Sequence, residues 1–228
     1  MRIAILSNTL PAALPIYEAI RGRRDASVFV VLCPSQQKGS PELTKHIARW
    51  ALKAGRLTSL RLLFSRKLVL LSRPLDHPAS VSKLAARSFD VGLHKTGNIY
   101  REETIDCFRL GILNAHIGLL PKYRGRCVME WSLLQGDPTG ISVFFIDTGI
   151  DTGPRIVFSE EVDVSKRTSI ADAKDYLFNL DARFYRRAID LLNSDSPTYQ
   201  DNDGSGRRYY VMSKLFQAVT GECLRLSK

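Results

Sequence analysis

An asparagine and a histidine two residues apart are the first candidates for chemistry in this sequence. Asn114 and His116 stand in the apolar run 113–117, which predicts a short strand. Residues two apart on a strand point to the same face, so the amide and the imidazole would lie side by side. Two adjacent hydrogen-bond donors can polarise a carbonyl and stabilise negative charge that develops on its oxygen. A structural histidine would give the same short pattern, so the surrounding residues must decide.

The carboxylates that could work beside them lie in the sequence I-D-T-G-I-D-T-G at 146–153. Asp and Gly are turn residues, so this stretch predicts a glycine-rich loop that contains Asp147 and Asp151. A carboxylate beside an imidazole can orient the ring and accept a proton from a reacting amine. The pattern favours one carboxylate presented beside Asn114 and His116, although an ordinary turn has the same composition.

Alternating strands and helices must position these groups. Apolar runs predict strands at 2–7, 27–33, 68–71, 89–94, 113–117, 140–146 and 155–163. Helical periodicity and capping residues predict helices at 13–24, 42–57, 76–88, 127–135 and 168–193. A helix is an alternative at 68–71. The alternation is typical of an α/β fold with a Rossmann-like, mostly parallel sheet flanked by helices, in which chemistry lies at the carboxyl ends of the strands.

Composition and charge exclude several classes of protein. The 228 residues are 44% hydrophobic and 25% charged, as in soluble globular proteins and unlike disordered chains. Neither a membrane span nor a signal peptide is predicted, so a cytoplasmic location is expected. Four cysteines without C-x-x-C spacing and four scattered histidines offer no metal-ligand set, so no metal is expected.

The net charge of +10 is unevenly distributed along the chain. Residues 1–88 contain 15 Lys and Arg against 4 Asp and Glu, which gives +11, and residues 89–228 contain 18 against 19, which gives −1. A uniformly basic surface would indicate nucleic-acid binding, but this distribution does not favour it.

A longer run surrounds the first two candidates: N-A-H-I-G-L-L-P-K-Y-R-G at 114–125, then Trp131, Gly136, Thr139-Gly140 and the I-D-T-G-I-D-T-G loop. These motifs resemble the 10-formyltetrahydrofolate-dependent formyltransferase family over about residues 89–193, and their combination is highly specific. One departure is Gly118, where the family normally has a serine. The resemblance implies a catalytic domain at 1–193 and a C-terminal extension at 194–228.

Carried over position by position, the resemblance implies that Asn114, His116 and Asp151 are catalytic. The first two would stabilise the oxyanion formed when an amine attacks the formyl carbon of 10-formyltetrahydrofolate, and Asp151 would orient His116 and take part in removing the amine's proton. The formyl donor would lie in a cleft formed by two loops and contact Gly97, Asn98, Ile99, Asp147, Gly149 and Ile150. The acceptor would contact Ser7, Asn8, Tyr123, Arg124 and Arg126.

The version L-L-P-K-Y-R-G-R at 119–126 is most similar to the amino-sugar N-formyltransferases. The resemblance implies an amino-deoxy sugar linked to a nucleotide diphosphate, used for surface polysaccharide such as lipopolysaccharide, and a homodimeric enzyme. A basic N-terminal half suits a diphosphate, because Lys and Arg pair with its oxygens. Another amine, carried by an aminoacyl-tRNA or a carrier protein, is the main alternative.

Two segments outside the motifs have open interpretations. The predicted helix at 42–57 has one apolar face and a cationic stripe of Lys45, Arg49, Lys53 and Arg56. Such a helix can attach to an anionic membrane, which makes a non-catalytic docking protein an alternative, but an ordinary surface helix is favoured. The tail contains a turn-like D-N-D-G-S-G at 201–206 and an aromatic cluster at 209–212, which would cover the acceptor or pack the tail.

Overall fold

The computed structural model describes residues 1–34, 62 and 65–226. The predicted helix at 42–57 and its cationic stripe lie outside the described residues. The chain divides into two compact units, Met1–Leu113 and Asn114–Lys228. Among the described residues, no helix is both long and apolar enough to cross a membrane.

The first unit is built on parallel strands in the order β3-β2-β1-β4-β5. Their bounds are β1 Arg2–Ser7, β2 Ser27–Leu32, β3 Leu68–Leu70, β4 Phe89–Lys95 and β5 Phe108–His116. In the central strand β1, every residue from Ile3 to Leu6 is fully buried. Continuous burial is expected where helices cover both faces of a parallel sheet. The strand at 68–71 and the α/β fold class with a mostly parallel sheet are thereby confirmed.

Among the described residues, the first unit contains the helices α1 Leu10–Ile20, α2 Pro78–Ala85 and α3 Glu102–Ile105. The predicted bounds 13–24 for α1 are wrong at both ends. The helix begins earlier because the Thr9 hydroxyl accepts a hydrogen bond from the Ala12 amide and Pro11 is tolerated in the first turn. It ends before Arg23, whose guanidinium pairs with Asp25 instead of capping the helix.

Strand β5 is longer than the predicted 113–117 and runs from the first unit into the second. The prediction missed its first half because Arg109 and Gly111 interrupt the apolar pattern. Gly111 has a φ of +108°, a left-handed conformation that a glycine adopts readily. The strand therefore carries Asn114 and His116 at its carboxyl end, as expected.

The second unit contains the remaining strands of the described chain. These are β6 Tyr123–Gly125, β7 Gly140–Phe145, β8 Arg155–Glu161, β9 Gln200–Asp201 and β10 Arg207–Tyr209. Strands β7, β8 and β9 pair antiparallel, and β10 pairs in parallel with β6. The C-terminal tail thus contributes two strands, whereas the sequence predicted a polar segment without elements.

The helices of the second unit are α4 Val128–Leu134, α5 Ile170–Asn179, α6 Asp181–Leu192 and α7 Lys214–Leu226. The single helix predicted at 168–193 is wrong, because it is two helices. Ser169 caps the first by accepting from the Asp172 amide. At the break, the Leu180 amide bonds the Leu177 carbonyl three residues back, which tightens the turn. Helix α7 was not predicted at all.

Candidate active site

Asn114 and His116 occupy the carboxyl end of β5, where residues two apart share a face. The Asn114 side chain is half-buried and makes no hydrogen bond with the described residues. His116 is 7% exposed, and the edge of its ring packs against Phe144. One donor is therefore available to a ligand, and the other is held in a defined orientation.

The His116 ring lies between two oxygen atoms. Its Nε2 is 2.9 Å from the Tyr123 carbonyl oxygen, and its Nδ1 is 3.5 Å from Asp151 Oδ1. A carbonyl only accepts hydrogen bonds, so Nε2 carries the hydrogen in this arrangement. The remaining nitrogen faces the carboxylate at a distance longer than a good hydrogen bond.

Asp151 is fixed from both its side chain and its backbone. Its Oδ2 accepts a hydrogen bond of 2.9 Å from the Gly125 amide. Its backbone has a φ of +54°, in the left-handed region that few residues other than glycine adopt. The structure thus brings Asn114, His116 and Asp151 into one unit, with Asp151 in direct contact with the histidine.

Asp147, the other carboxylate of the loop, has a different environment. Its Oδ1 accepts from the Gly149 amide at 3.0 Å and from the Thr152 hydroxyl at 2.8 Å. A Cβ on Gly149 would lie 2.0 Å from the Thr152 hydroxyl oxygen, so the turn requires a glycine. Asp147 and Gly149 therefore shape the loop, and a contact between them and the formyl donor stays a prediction, as it does for the half-buried Ile150.

Gly118 is the position where the sequence departs from the family pattern. A Cβ on Gly118 would lie 2.7 Å from His116 Nε2 and 2.9 Å from the Tyr123 carbonyl oxygen. These are the two atoms of the hydrogen bond that orients the histidine. His116 and the Tyr123 carbonyl can approach each other this closely because Gly118 has no side chain.

The three residues predicted to contact the acceptor beyond β5 differ in their surroundings. Tyr123 is 1% exposed, and its hydroxyl contacts Gln135 and Asp137. Burial raises the pKa of this hydroxyl. Arg124 donates from Nη1 to the Gly204 carbonyl at 2.6 Å, while its Nε is buried without a hydrogen-bond partner among the described residues. Arg126 is exposed.

In the first unit, the residues predicted to bind the acceptor are engaged locally. The Ser7 hydroxyl is buried and donates to the Thr9 carbonyl at 2.9 Å. The Asn8 amide donates to the Cys33 carbonyl at 3.1 Å. Both contacts order the loop after β1, and substrate binding by these residues stays a prediction.

The loop after β4 contains a partly buried polar network around the buried Tyr100. His94 Nδ1 is 2.7 Å from the Tyr100 hydroxyl, which is 3.0 Å from the Thr96 hydroxyl. Burial, with a smaller contribution from the charge of Lys95, lowers the pKa of His94 to about 4. Asn98 is 8% exposed, and its Nδ2 has no hydrogen-bond partner among the described residues.

The same loop also offers exposed groups. Ile99 is 56% exposed, and a Cβ on Gly97 would have no atom within 4 Å. The loop therefore combines an exposed apolar side chain with a buried amide that has no partner in the described part of the chain.

Two further residues of the C-terminal segment contact the site, and the sequence predicted no role for the first of them. Asn202 is 4% exposed, and its side-chain amide donates to the carbonyl oxygens of Asp151 and Gly153. Tyr209 pairs with β6 through its backbone and stacks on Tyr123. Asn202 has no sequence signal of its own, because it stands in an ordinary turn pattern, whereas Tyr209 belongs to the aromatic cluster expected at 209–212. Tyr209 and Met212 are buried and pack the tail, whereas Tyr210 and Val211 are exposed.

No group of three or more His, Cys, Asp and Glu side chains in the described part of the chain is arranged to hold a metal ion. The candidate site therefore consists of an amide, an imidazole and a carboxylate. Such a set can stabilise an oxyanion and transfer a proton.

Comparisons with known proteins agree with this chemistry. A family model described as formyl transferase matches residues 1–189. A methionyl-tRNA formyltransferase from Thermodesulfovibrio yellowstonii is 30% identical over 244 residues, which cover 95% of this chain and 72% of that protein. One from Syntrophus aciditrophicus is 33% identical over 119 residues, which cover 52% of this chain but only 38% of that relative's length.

Solved structures share the fold. A 4-N formyltransferase from Francisella tularensis superposes with a TM-score of 0.66 at 16% identity and covers 98% of this chain and 87% of its own. An N-formyltransferase from Helicobacter canadensis, solved with folinic acid and dTDP-3-aminofucose, has a TM-score of 0.59 at 16% identity, covering 91% and 70%. The family model spans most of the sequence and includes the whole candidate triad, and on this basis the chain belongs to the formyl transferase family.

Proposed function

We propose that this protein transfers a formyl group from 10-formyltetrahydrofolate to the amine of an amino sugar carried on a nucleotide diphosphate. The observation that carries the proposal is the triad of the second unit. Asn114 presents an amide that is unbonded among the described residues beside His116, and the Asp151 carboxylate lies 3.5 Å from the ring. Membership of the formyl transferase family supports the assignment of formyl as the group that is transferred.

The chemistry asked of the triad is acyl transfer. A neutral amine attacks the formyl carbon, a new carbon–nitrogen bond forms, and the bond from that carbon to N10 of the folate breaks. Asn114 donates to the formyl oxygen as it gains negative charge, and His116 joins it when its Nε2 is released from the Tyr123 carbonyl. Asp151 accepts the proton that the amine loses, directly or through water, and that proton ends on the folate nitrogen. The long contact between Asp151 and His116 leaves room for such an exchange.

The loop after β4 fits a pterin. A pterin edge carries hydrogen-bond acceptors, and the buried Asn98 Nδ2 is a donor without a partner among the described residues. The exposed Ile99 side chain supplies apolar surface for a flat ring. These features support the assignment of Gly97, Asn98 and Ile99 to the formyl donor, which was made from the resemblance.

Two acceptor classes have specific support. The motif at 119–126 resembles the amino-sugar enzymes, and the Helicobacter canadensis relative in fold was solved with an amino-sugar nucleotide. The curated relatives in sequence are methionyl-tRNA formyltransferases, which makes an aminoacyl-tRNA the second candidate. The amino sugar is preferred because the charge excess of residues 1–88 suits a small diphosphate. A homodimer remains a prediction.

The test is a screen of dTDP-, UDP- and GDP-linked amino sugars and of methionyl-tRNA with 10-formyltetrahydrofolate. The product is detected by mass as the gain of one formyl group. An amino-sugar nucleotide should be the best acceptor by kcat/KM. If methionyl-tRNA is the only acceptor that gains a formyl group, the amino sugar is refuted as the acceptor and the aminoacyl-tRNA takes its place.

Three variants test the triad with the acceptor so identified. Asn114→Ala should lower kcat about 10²–10³-fold, the usual effect of losing one oxyanion donor. His116→Ala should lower kcat by a similar factor, because the second oxyanion donor is lost. Asp151→Asn should lower kcat about 10²–10⁴-fold, because positioned proton transfer is lost. Asp163→Asn, in an exposed loop where Asp163 accepts from the Ser165 amide, is the matched control. Near wild-type turnover of a folded His116→Ala enzyme would refute the proposed site.

A further inference from the structure

We infer that Asn202, in the C-terminal segment, is a positioning residue that holds the Asp151 carboxylate at its working place. The inference rests on the proposed function, because it assigns Asn202 a role through Asp151. The family model matches residues 1–189, and Asn202 lies beyond them. Asn202 belongs to the segment 194–228, which was predicted from the sequence to be a C-terminal extension. The family match therefore says nothing about it.

The contacts of Asn202 converge on one stretch of the Asp151 loop. Its Nδ2 donates to the Asp151 carbonyl at 3.2 Å and to the Gly153 carbonyl at 3.0 Å. Its backbone amide donates to the Pro154 carbonyl at 2.9 Å. One side chain thus uses both amide hydrogens on the carbonyls either side of Thr152.

This stretch needs external support. Asp151 has a φ of +54°, which is unfavourable for a residue with a Cβ and persists only where the surroundings impose it. Gly153 has no room for a side chain, since a Cβ would lie 1.7 Å from the Phe145 carbonyl oxygen. The Asn202 bonds hold the backbone in the conformation that directs the carboxylate to the Gly125 amide and to His116.

The segment that carries Asn202 is itself anchored. Strand β9, just before it, pairs with β8 through Gln200 and Asp201. Beyond it, the Arg124 guanidinium donates to the Gly204 carbonyl at 2.6 Å. A Cβ on Gly206 would lie 1.5 Å from the Pro121 carbonyl oxygen, so the chain runs directly against the loop that follows His116. Asn202 is therefore a fixed support.

The test compares Asn202→Asp, Asn202→Ala and Gln200→Glu. Asn202→Asp keeps the shape but places a carboxylate against two carbonyl oxygens, and Asn202→Ala removes both donors without adding charge. Gln200→Glu makes the same amide-to-carboxylate change at an exposed position of β9 and is the matched control. Both Asn202 variants should lower kcat about 10–100-fold, the cost of misplacing a catalytic group by about 1 Å. KM for both substrates should stay within about twofold, because the contacts of Asn202 are with the backbone of the Asp151 loop and its role is assigned through Asp151.

Hydrogen exchange of the backbone at 147–154 gives a readout independent of activity. Exchange there should be faster in both Asn202 variants and unchanged in Gln200→Glu, while exchange in β7 stays the same. If Asn202→Asp does not fold, Asn202→Ala decides alone. Wild-type kcat in a folded Asn202→Ala protein, or unchanged exchange at 147–154, would overturn the inference. If the wild-type protein formylates no amine, the proposed function fails, and the exchange experiment still decides whether Asn202 holds the loop.

Discussion

The backbone around His116 determines what its imidazole can do. The Tyr123 carbonyl accepts a hydrogen bond from Nε2, and the Asp151 carboxylate faces Nδ1. The protein therefore fixes both the orientation of the ring and which nitrogen carries the hydrogen. The spacing of Asn114 and His116 predicted their shared face. The Tyr123 carbonyl could not be predicted, because a backbone oxygen has no sequence signature and its position depends on the whole turn at 117–123.

Gly118→Ser, which restores the residue usual in the family, should impair this protein. The new Cβ would stand 2.7 Å from His116 Nε2 and 2.8 Å from Val128 Cγ2, so the ring or the turn must move. We expect kcat to fall about 10–100-fold, as for other displacements of about 1 Å. The measurement is formyl transfer under saturating substrates.

Gly221→Ala is the control for this substitution. Gly221 lies in α7 with no atom within 4 Å of a new Cβ, and alanine favours a helix by about 0.5–1 kcal/mol. The variant should keep its turnover and unfold at a slightly higher denaturant concentration. Full activity of Gly118→Ser would mean that His116 keeps its orientation even when residue 118 has a side chain.

Among the elements, those that belong to repeating patterns were predictable, and those defined by single contacts were not. Strand β1 was predicted correctly because its apolar residues Ile3 to Leu6 follow one another in the sequence. The division at Leu180 could not be predicted, since both helices are amphipathic and the break is one tightened turn. The tail was read as polar, and its strands exist because β8 and β6 provide edges for them.

The ion pair between α4 and α5 should matter for stability. Glu130 is 1% exposed, and its carboxylate pairs with the Lys174 ammonium. Lys174→Ala leaves a buried carboxylate without its cation, and we expect a loss of about 1–3 kcal/mol in the free energy of unfolding. Urea denaturation provides the measurement.

Arg183→Ala supplies the comparison for that ion pair. Arg183 pairs with Glu160 at the surface, with its side chain 63% exposed, and Arg187 also contacts Glu160. Removing it should cost less than about 1 kcal/mol. Equal losses in the two variants would show that burial of Glu130 does not set the strength of its ion pair.

The polar network after β4 predicts a pH-dependent stability of the first unit. The pKa of His94 is lowered from 6.5 to about 4 by burial, so the unfolded chain binds its proton first as the pH falls. Stability is therefore lost on going down from pH 6.5, and this histidine should account for about 2 kcal/mol between pH 7 and pH 5.

His94→Asn isolates this contribution. The variant cannot be protonated in this range, so its unfolding free energy should change less between pH 7 and pH 5 than that of the wild-type protein. Denaturation at both pH values in the two proteins gives the difference. Identical pH dependence would mean that His94 titrates normally in the folded state.

At the scale of the whole molecule, the charge distribution separates the two acceptor classes. Residues 1–88 carry +11, residues 89–228 carry −1, and the proposed triad belongs to the nearly neutral part. A diphosphate meets few cations at once, whereas a tRNA contacts many phosphates and releases many counterions. The steepness with which kcat/KM falls as salt is added therefore reports how many phosphates of the acceptor the enzyme contacts.

We expect kcat/KM for the amino-sugar nucleotide to fall less than about tenfold between 50 and 200 mM salt. A tRNA held through six or more phosphates would lose about 10³-fold or more over the same range. The control is kcat at saturating acceptor, which should be insensitive to salt because the triad reacts with groups already bound. A higher kcat/KM for methionyl-tRNA that falls steeply with salt would indicate that the basic half binds a larger polyanion, and the tRNA acceptor would then be preferred.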